Sequence, residues 1–203
     1  MAVHSPEILA ALAAFALASV WTPGPNNVML AASGATFGVR RTARHALGVA
    51  LGFPLMLFAI ALGLGEAFRS APALREAIAW IGFAVMVWLA WRIGTARPPA
   101  EGAAGRSRPL SFATAVMFQW VNPKAWVMAI ATAATYASGA SPGMEAALAA
   151  AVFALAGLTS SFGWAAAGAA LGRILGRGWR LRAFNAAMGL LLAASALWLV
   201  MEG

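Results

Sequence analysis

Lys124 is the only charged side chain deep inside an apolar stretch of this sequence, and it follows Asn122 and Pro123 directly. A second cluster, Thr22-Pro23-Gly24-Pro25-Asn26-Asn27, lies within a run from Ile8 to Val39 that carries no charge at all. These residue types suit the binding of a small zwitterion. Proline has no N–H, and its ring pushes away the carbonyl four residues back. Pro23 should therefore free the carbonyl of Ser19, Pro25 that of Trp21 and Pro123 that of Gln119. Thr22 and Gly24 each precede a proline and are pushed out of helical geometry. A helix restarting at Pro25 presents the N–H groups of Asn26, Asn27 and Val28 at its positive dipole end. Such N–H groups can hold a carboxylate, and the freed carbonyls can hold an ammonium. A lysine at a helix centre in a membrane costs at least about 2.5–3.5 kcal/mol, so Lys124 needs a partner, and no acid lies within any segment to supply one. Backbone carbonyls, Asn26, Asn27, Asn122 or a substrate carboxylate remain. The competing readings are a plain proline kink, satisfied by Ser19, Thr22 or neighbouring helices, and a lysine that snorkels to water.

The elements that must position these groups are membrane helices. The chain is 62% hydrophobic and 10% charged, with a mean hydropathy of +0.79; soluble domains are about 45–50% apolar and about 25% charged. Spans need about 20 apolar residues. The pattern predicts six, near Ile8–Ser33, His45–Gly65, Ala77–Arg92, Ser111–Tyr136, Ala146–Leu171 and Ala183–Met201. No basic region precedes the first, so a cleaved signal peptide is not expected. The third is short, and Arg92 is expected to snorkel. Trp88, Trp91, Trp179 and Trp198 suit either an interfacial belt or a packed core.

Charge orients these segments. Arg40, Arg41 and Arg44 follow the first; Arg92, Arg97, Arg106 and Arg108 the third; Arg173, Arg177, Arg180 and Arg182 the fifth. The positive-inside rule then puts these three connections in the cytoplasm and both termini in the periplasm. It also accounts for the net charge of +8 without nucleic acid. The Pro/Gly/Arg-rich linker 94–110 separates a first three-helix unit, 1–93, from a second, 111–203. Shifted by 99, Trp21 falls on Trp120, Val28 on Val127 and Met29 on Met128, and the two proline breaks coincide. Three segments per half make the halves antiparallel, the inverted-repeat arrangement of secondary transporters. The expected fold is thus an all-α integral membrane protein of six transmembrane helices in two inverted three-helix repeats.

Other chemistry is poorly supported. There is no Cys or Asp, and the only histidines are His4 and His45. No nucleophile has a positioned base, and no cluster could hold a metal. No catalytic residue, metal or cofactor is expected. His45, beginning the second segment beside three arginines, reads as an interfacial residue that could titrate near neutral pH. Gln119, Thr159, Ser160 and Ser161 line a polar path or simply bond to backbone. Gly34-xxx-Gly38, Gly48-xxx-Gly52 and Gly168-xxx-Gly172-xxx-Gly176 are small-residue ladders for close helix packing.

The sequence "TPGPNNVMLAASGATFGVRR", followed by "GVALGF", resembles the start of the LysE/RhtB amino-acid exporters, and "FQWVNPKAW" resembles the opening of their second half. "WIGFAVMVWLAWRI" and the basic linker after it are also similar, so the resemblance runs nearly the whole length. It implies efflux of amino acids or close derivatives across a bacterial inner membrane, driven by protons, and is nearest the branch exporting cysteine and O-acetylserine. Carried over by motif, the site residues are Pro23, Gly24, Pro25, Asn26, Asn122, Pro123 and Lys124; the residues themselves add Thr22 and Asn27. Many relatives have a Tyr in the third segment where Phe83–Leu89 has none. The expected partners are an amino acid, protons and membrane lipid, with homo-oligomerisation left open. An exporter of another small solute or cation on the same fold, and a non-transporting scaffold, are the alternatives.

Overall fold

A computed structural model describes residues 5–96, 108–137, 141–176 and 178–202. His4, Arg97, Arg106 and Arg177 lie outside the described residues, as does most of the linker 94–110.

Every predicted segment is helical, and two are split where the prolines fall. Helix α1 (Pro6–Trp21) opens with Ser5 as N-cap, its side chain accepting from the Ile8 N–H, and with Pro6 and Glu7 in the first turn. It ends because Thr22, ahead of Pro23, is extended (ψ 130°), as is Gly24 (φ −176°, ψ 179°), and α2 (Pro25–Phe37) restarts at Pro25. The two helices meet at an angle of 57°. The second split separates α6 (Phe112–Gln119) from α7 (Pro123–Tyr136), with Asn122 as N-cap.

Between them run α3 (Val39–Ala59), a π-helical turn (Ile60–Leu64), α4 (Gly65–Ser70) and α5 (Pro72–Gly94). The long α8 (Pro142–Leu175) and α9 (Trp179–Glu202) complete the chain. The third segment is longer than expected, starting at Pro72 rather than Ala77, because Glu76 is accommodated in its early turns. The second starts six residues before His45, at Val39. It also carries an irregularity that the apolar pattern did not predict. Pro54 sits inside α3, and the π turn contains Gly63 at φ +120°, a conformation that favours glycine.

Among the described residues three helices, α3 with its π turn, α5 and α8, are long and apolar enough to cross a membrane, and the bent pair α1–α2 makes a fourth candidate. Large apolar side chains are exposed on these helices and on α7 and α9, including Leu55, Leu155, Val127 and Leu190. Trp88, Trp91 and Trp179 are also exposed, so they are not packed in the core; the Trp198 side chain lies outside the described residues. Arg92, in the last turn of α5, lies over the Trp88 ring at 4.9 Å.

Inside, α8 runs against α1, α2 and α3, α6 packs on α3, and α5 pairs with α9. The main core joins Leu12, Phe53, Met56, Leu57, Trp126 and Phe153. Glycine makes the tightest approach. A Cβ on Gly34 would strike the Ala165 carbonyl, and on Gly168 or Gly172 the carbonyls of Ala31 and Ala35. The ladder of α8 therefore clamps α2, the half-helix that begins at Pro25.

Candidate functional site

The two breaks face each other. The Lys124 side chain leaves the first turn of α7, and its Nζ donates to the Thr22 carbonyl at 2.6 Å. The residues are 102 apart in sequence, yet the ammonium of one break caps the backbone of the other. Gly24 makes room for it, since a Cβ there would lie 2.9 Å from Lys124 Cδ.

The rest of the first break is braced by side chains. Asn27 Nδ2 donates to the Val20 carbonyl at 3.0 Å and to the Thr22 carbonyl at 2.8 Å. Ser160 Oγ, from α8, donates to the Val20 carbonyl at 2.7 Å. Thr22 Oγ1 donates back to the Ala18 carbonyl at 2.6 Å. In a membrane the Val20 and Thr22 carbonyls would each cost several kcal/mol if left bare, and Asn27, Ser160 and Lys124 remove most of that cost.

At the second break Asn122 accepts from the Lys124 N–H at 3.2 Å. Gln119, at the end of α6 and fully buried, has its Oε1 2.9 Å from Asn26 Nδ2, which donates to it. Gln119 Nε2 also donates to the Ala115 carbonyl at 2.8 Å.

These groups line one cavity of about 50 Å³, whose polar wall is Gly24, Asn26, Asn27, Gln119, Asn122, Lys124, Ser160 and Ser161. Its apolar wall includes Phe53, Met128 and Phe153. A water needs about 10–15 Å³ of such space, so the cavity holds a few waters. An amino acid fits only if the half-helices part.

Of the nine residues singled out in the sequence, Gly24, Asn26, Asn27, Asn122 and Lys124 line this cavity. Thr22 reaches Lys124 through its carbonyl. Pro23, Pro25 and Pro123 are not in the lining; they set the backbone. Several backbone expectations need correction. The carbonyls of Val20 and Thr22, beside those of Ser19 and Trp21, are the ones that take side-chain donors at the first break. The Gln119 carbonyl is taken by the Asn122 N–H at 3.2 Å, since the chain tightens before Pro123. The Val28 N–H bonds the Gly24 carbonyl at 3.0 Å. The first-turn N–H groups of Asn26 and Asn27 are the ones without an intrahelical acceptor, and Gly24 offers no side-chain cap.

Gln119 and Ser160 matter more than their sequence context suggested. Under the shift of 99, Gln119 corresponds to Val20, whose carbonyl is the partner of Asn27 and Ser160 at the other break; that correspondence was the available signal. His45, read from sequence as an interfacial residue, is buried within the protein at 1% exposed, on α3 where that helix packs against α6 and α8.

Two half-helix pairs that turn irregular backbone toward a polar cavity, within a chain of long apolar helices, define a multi-pass membrane protein of the broken-helix class. The chain belongs to the LysE type translocator family, whose model matches residues 17–203. Three similar relatives are the cysteine/O-acetylserine efflux proteins of Escherichia coli strain K12, E. coli O139:H28 (strain E24377A / ETEC) and Shigella sonnei strain Ss046. Each is 32% identical over 135 residues, covering 65% of this chain and 67% of the relative. No solved structure matches.

Proposed function

We propose that this protein is a secondary active exporter of small amino acids or their close derivatives, of the cysteine and O-acetylserine kind, in a bacterial inner membrane. One observation carries the reading: the only lysine of the chain reaches from one proline break to the other and bonds its backbone at 2.6 Å, beside a cavity lined by amides and hydroxyls. The relatives' names supply the substrate class.

An incoming carboxylate competes with the Thr22 carbonyl for Lys124 and with Gln119 for Asn26. It also gains the first-turn N–H groups of α2 and the helix dipole behind them. The substrate ammonium takes the Thr22 carbonyl that Lys124 gives up. The exchange conserves hydrogen bonds while separating the breaks, so binding is coupled to opening. In this reading the chain folds as six spans in two inverted repeats that rock about the site, and protons drive the cycle.

The test is efflux from cells preloaded with dipeptides, comparing wild type, Lys124→Ala at equal expression and an empty vector. Wild type exports cysteine or O-acetylserine faster than the vector, Lys124→Ala does not, and a protonophore abolishes the difference. Wild-type efflux equal to the vector for every amino acid contradicts the reading.

A further inference from the structure

We propose that a second cavity, one helical turn beyond the central site, is a receiving site for the substrate's carboxylate on the arginine-rich side of the protein; this rests on the exporter reading above. The cavity measures about 190 Å³ and is lined by Ser33, Thr36, His45, Arg92, Thr95 and Arg108, with Met29 and Leu89 among its apolar residues. It is larger than the central cavity, whose lining has a single cation, Lys124. Two guanidinium groups and an imidazole line it, and no carboxylate does.

His45 is the decisive group. It is 1% exposed, and neither ring nitrogen has a hydrogen-bond partner. A buried polar group left unsatisfied costs about 1–3 kcal/mol, so a ring N–H placed here has a use for an acceptor. The neighbouring polar side chains are already engaged with each other. Ser33 Oγ and Thr42 Oγ1 lie 2.9 Å apart, and Asn185 Nδ2 donates to Thr36 Oγ1 at 2.9 Å. Arg92 is held over the Trp88 ring and donates to the Arg108 carbonyl at 3.4 Å, which keeps the pair at the cavity. Arginine forks match a carboxylate bidentately.

The placement gives the site a purpose. Asn26 lines the central cavity and Met29, Ser33 and Thr36 the second; these follow one face of α2 over about 15 Å of helix rise. On α3, Val49 lines the central cavity and His45, one turn earlier, the second. The two cavities are consecutive steps along one helix pair. The second lies toward the connection bearing Arg40, Arg41 and Arg44, the side from which an exporter loads. A carboxylate is drawn to Arg92, Arg108 and His45 first and handed along α2 to Lys124.

The test uses the full chain with His4→Gln, so that His45 is the sole histidine, labelled with ring ¹⁵N-histidine in phosphatidylcholine nanodiscs. O-acetyl-L-serine is titrated against it, with L-serine methyl ester as the control lacking a carboxylate. The His45 resonances should shift saturably with O-acetyl-L-serine, in wild type and in Lys124→Ala alike, and not with the ester. In reconstituted efflux, Arg92→Gln and His45→Leu should each raise the KM for internal substrate about tenfold and leave the maximal rate within twofold. No shift in a protein that exports overturns the second site and leaves the central one standing. A shift lost in Lys124→Ala overturns it as well, by assigning the response to the central site. A shift produced by phosphatidylglycerol nanodiscs without any amino acid gives the cavity to lipid headgroups and overturns it too. If wild type exports nothing while His45 still responds to the carboxylate, the receiving site stands and the exporter reading falls.

Discussion

At the residue scale the site is a set of donors aimed at backbone left open where the prolines split the helices. Asn27 carries the most: one amide nitrogen serves two carbonyls. Asn27→Ala removes both bonds and leaves Ser160 and Lys124 as the remaining donors. Losing a partner of buried polar groups costs about 1–3 kcal/mol. The variant should therefore melt several degrees below wild type in detergent, as read by a thermal-shift assay. Asn26→Ala breaks only the Gln119 pair and should melt closer to wild type while losing substrate affinity. The residues at the breaks were legible in sequence because proline acts locally: its missing N–H and its effect on the preceding residue need no tertiary information. Their partners were not legible. Which donor meets which carbonyl depends on where α6 and α8 deliver Gln119 and Ser160, and no sequence interval sets that.

At the element scale, glycine decides how the half-helices are held. The α8 ladder was recognisable as a packing motif; its partner, α2, was not, because small-residue ladders fit any closely approaching helix. Gly168→Ala would drive a methyl group into the Ala31 carbonyl. Overpacking of this kind costs about 1–3 kcal/mol, and here it also tilts α2, the helix that carries Asn26 and Asn27. Gly143→Ala, near the start of the same helix with nothing within 4 Å, is the matched control. Efflux should fall severalfold in Gly168→Ala and stay at the wild-type rate in Gly143→Ala; equal rates would show that the clamp is not needed for transport. Pro54 and the π turn after it escaped the sequence reading for a related reason. Their segment is uniformly apolar, so hydropathy alone reads as an unbroken span. In the fold, a Cβ on Gly157 would approach the Ala50 carbonyl, four residues before Pro54, to 3.3 Å. A third irregular stretch thus lies beside the central cavity, which Ala50 and Gly157 both line.

At the scale of the whole molecule, the orientation expected from the arginines can be tested directly. The all-helical class was legible because apolar runs of about 20 residues suit spanning helices in a chain with only 10% charged residues. The burial of His45 was not, because the face that α3 turns inward is set by its packing on α6 and α8. The chain has no cysteine, so single cysteines report topology without background. Ser141→Cys lies in the connection before α8, poor in basic residues, and Gly178→Cys lies in the arginine-rich one before α9; both positions are exposed. In intact cells a membrane-impermeant maleimide should label Ser141→Cys and spare Gly178→Cys, and permeabilisation should expose the latter. The reverse pattern would invert the protein and move the His45 cavity to the far side of the membrane.

Lys124 is the only lysine in the chain, so its ammonium can be watched alone. Protein labelled with ζ-¹⁵N-lysine in nanodiscs, titrated with an amino acid that it exports, puts the central site to a direct test. The expected result is a saturable shift of the Nζ resonance as the Thr22 carbonyl is exchanged for a carboxylate, with Asn26→Ala weakening the midpoint about tenfold. An Nζ resonance that stays fixed at saturating concentrations of a transported substrate would contradict the site.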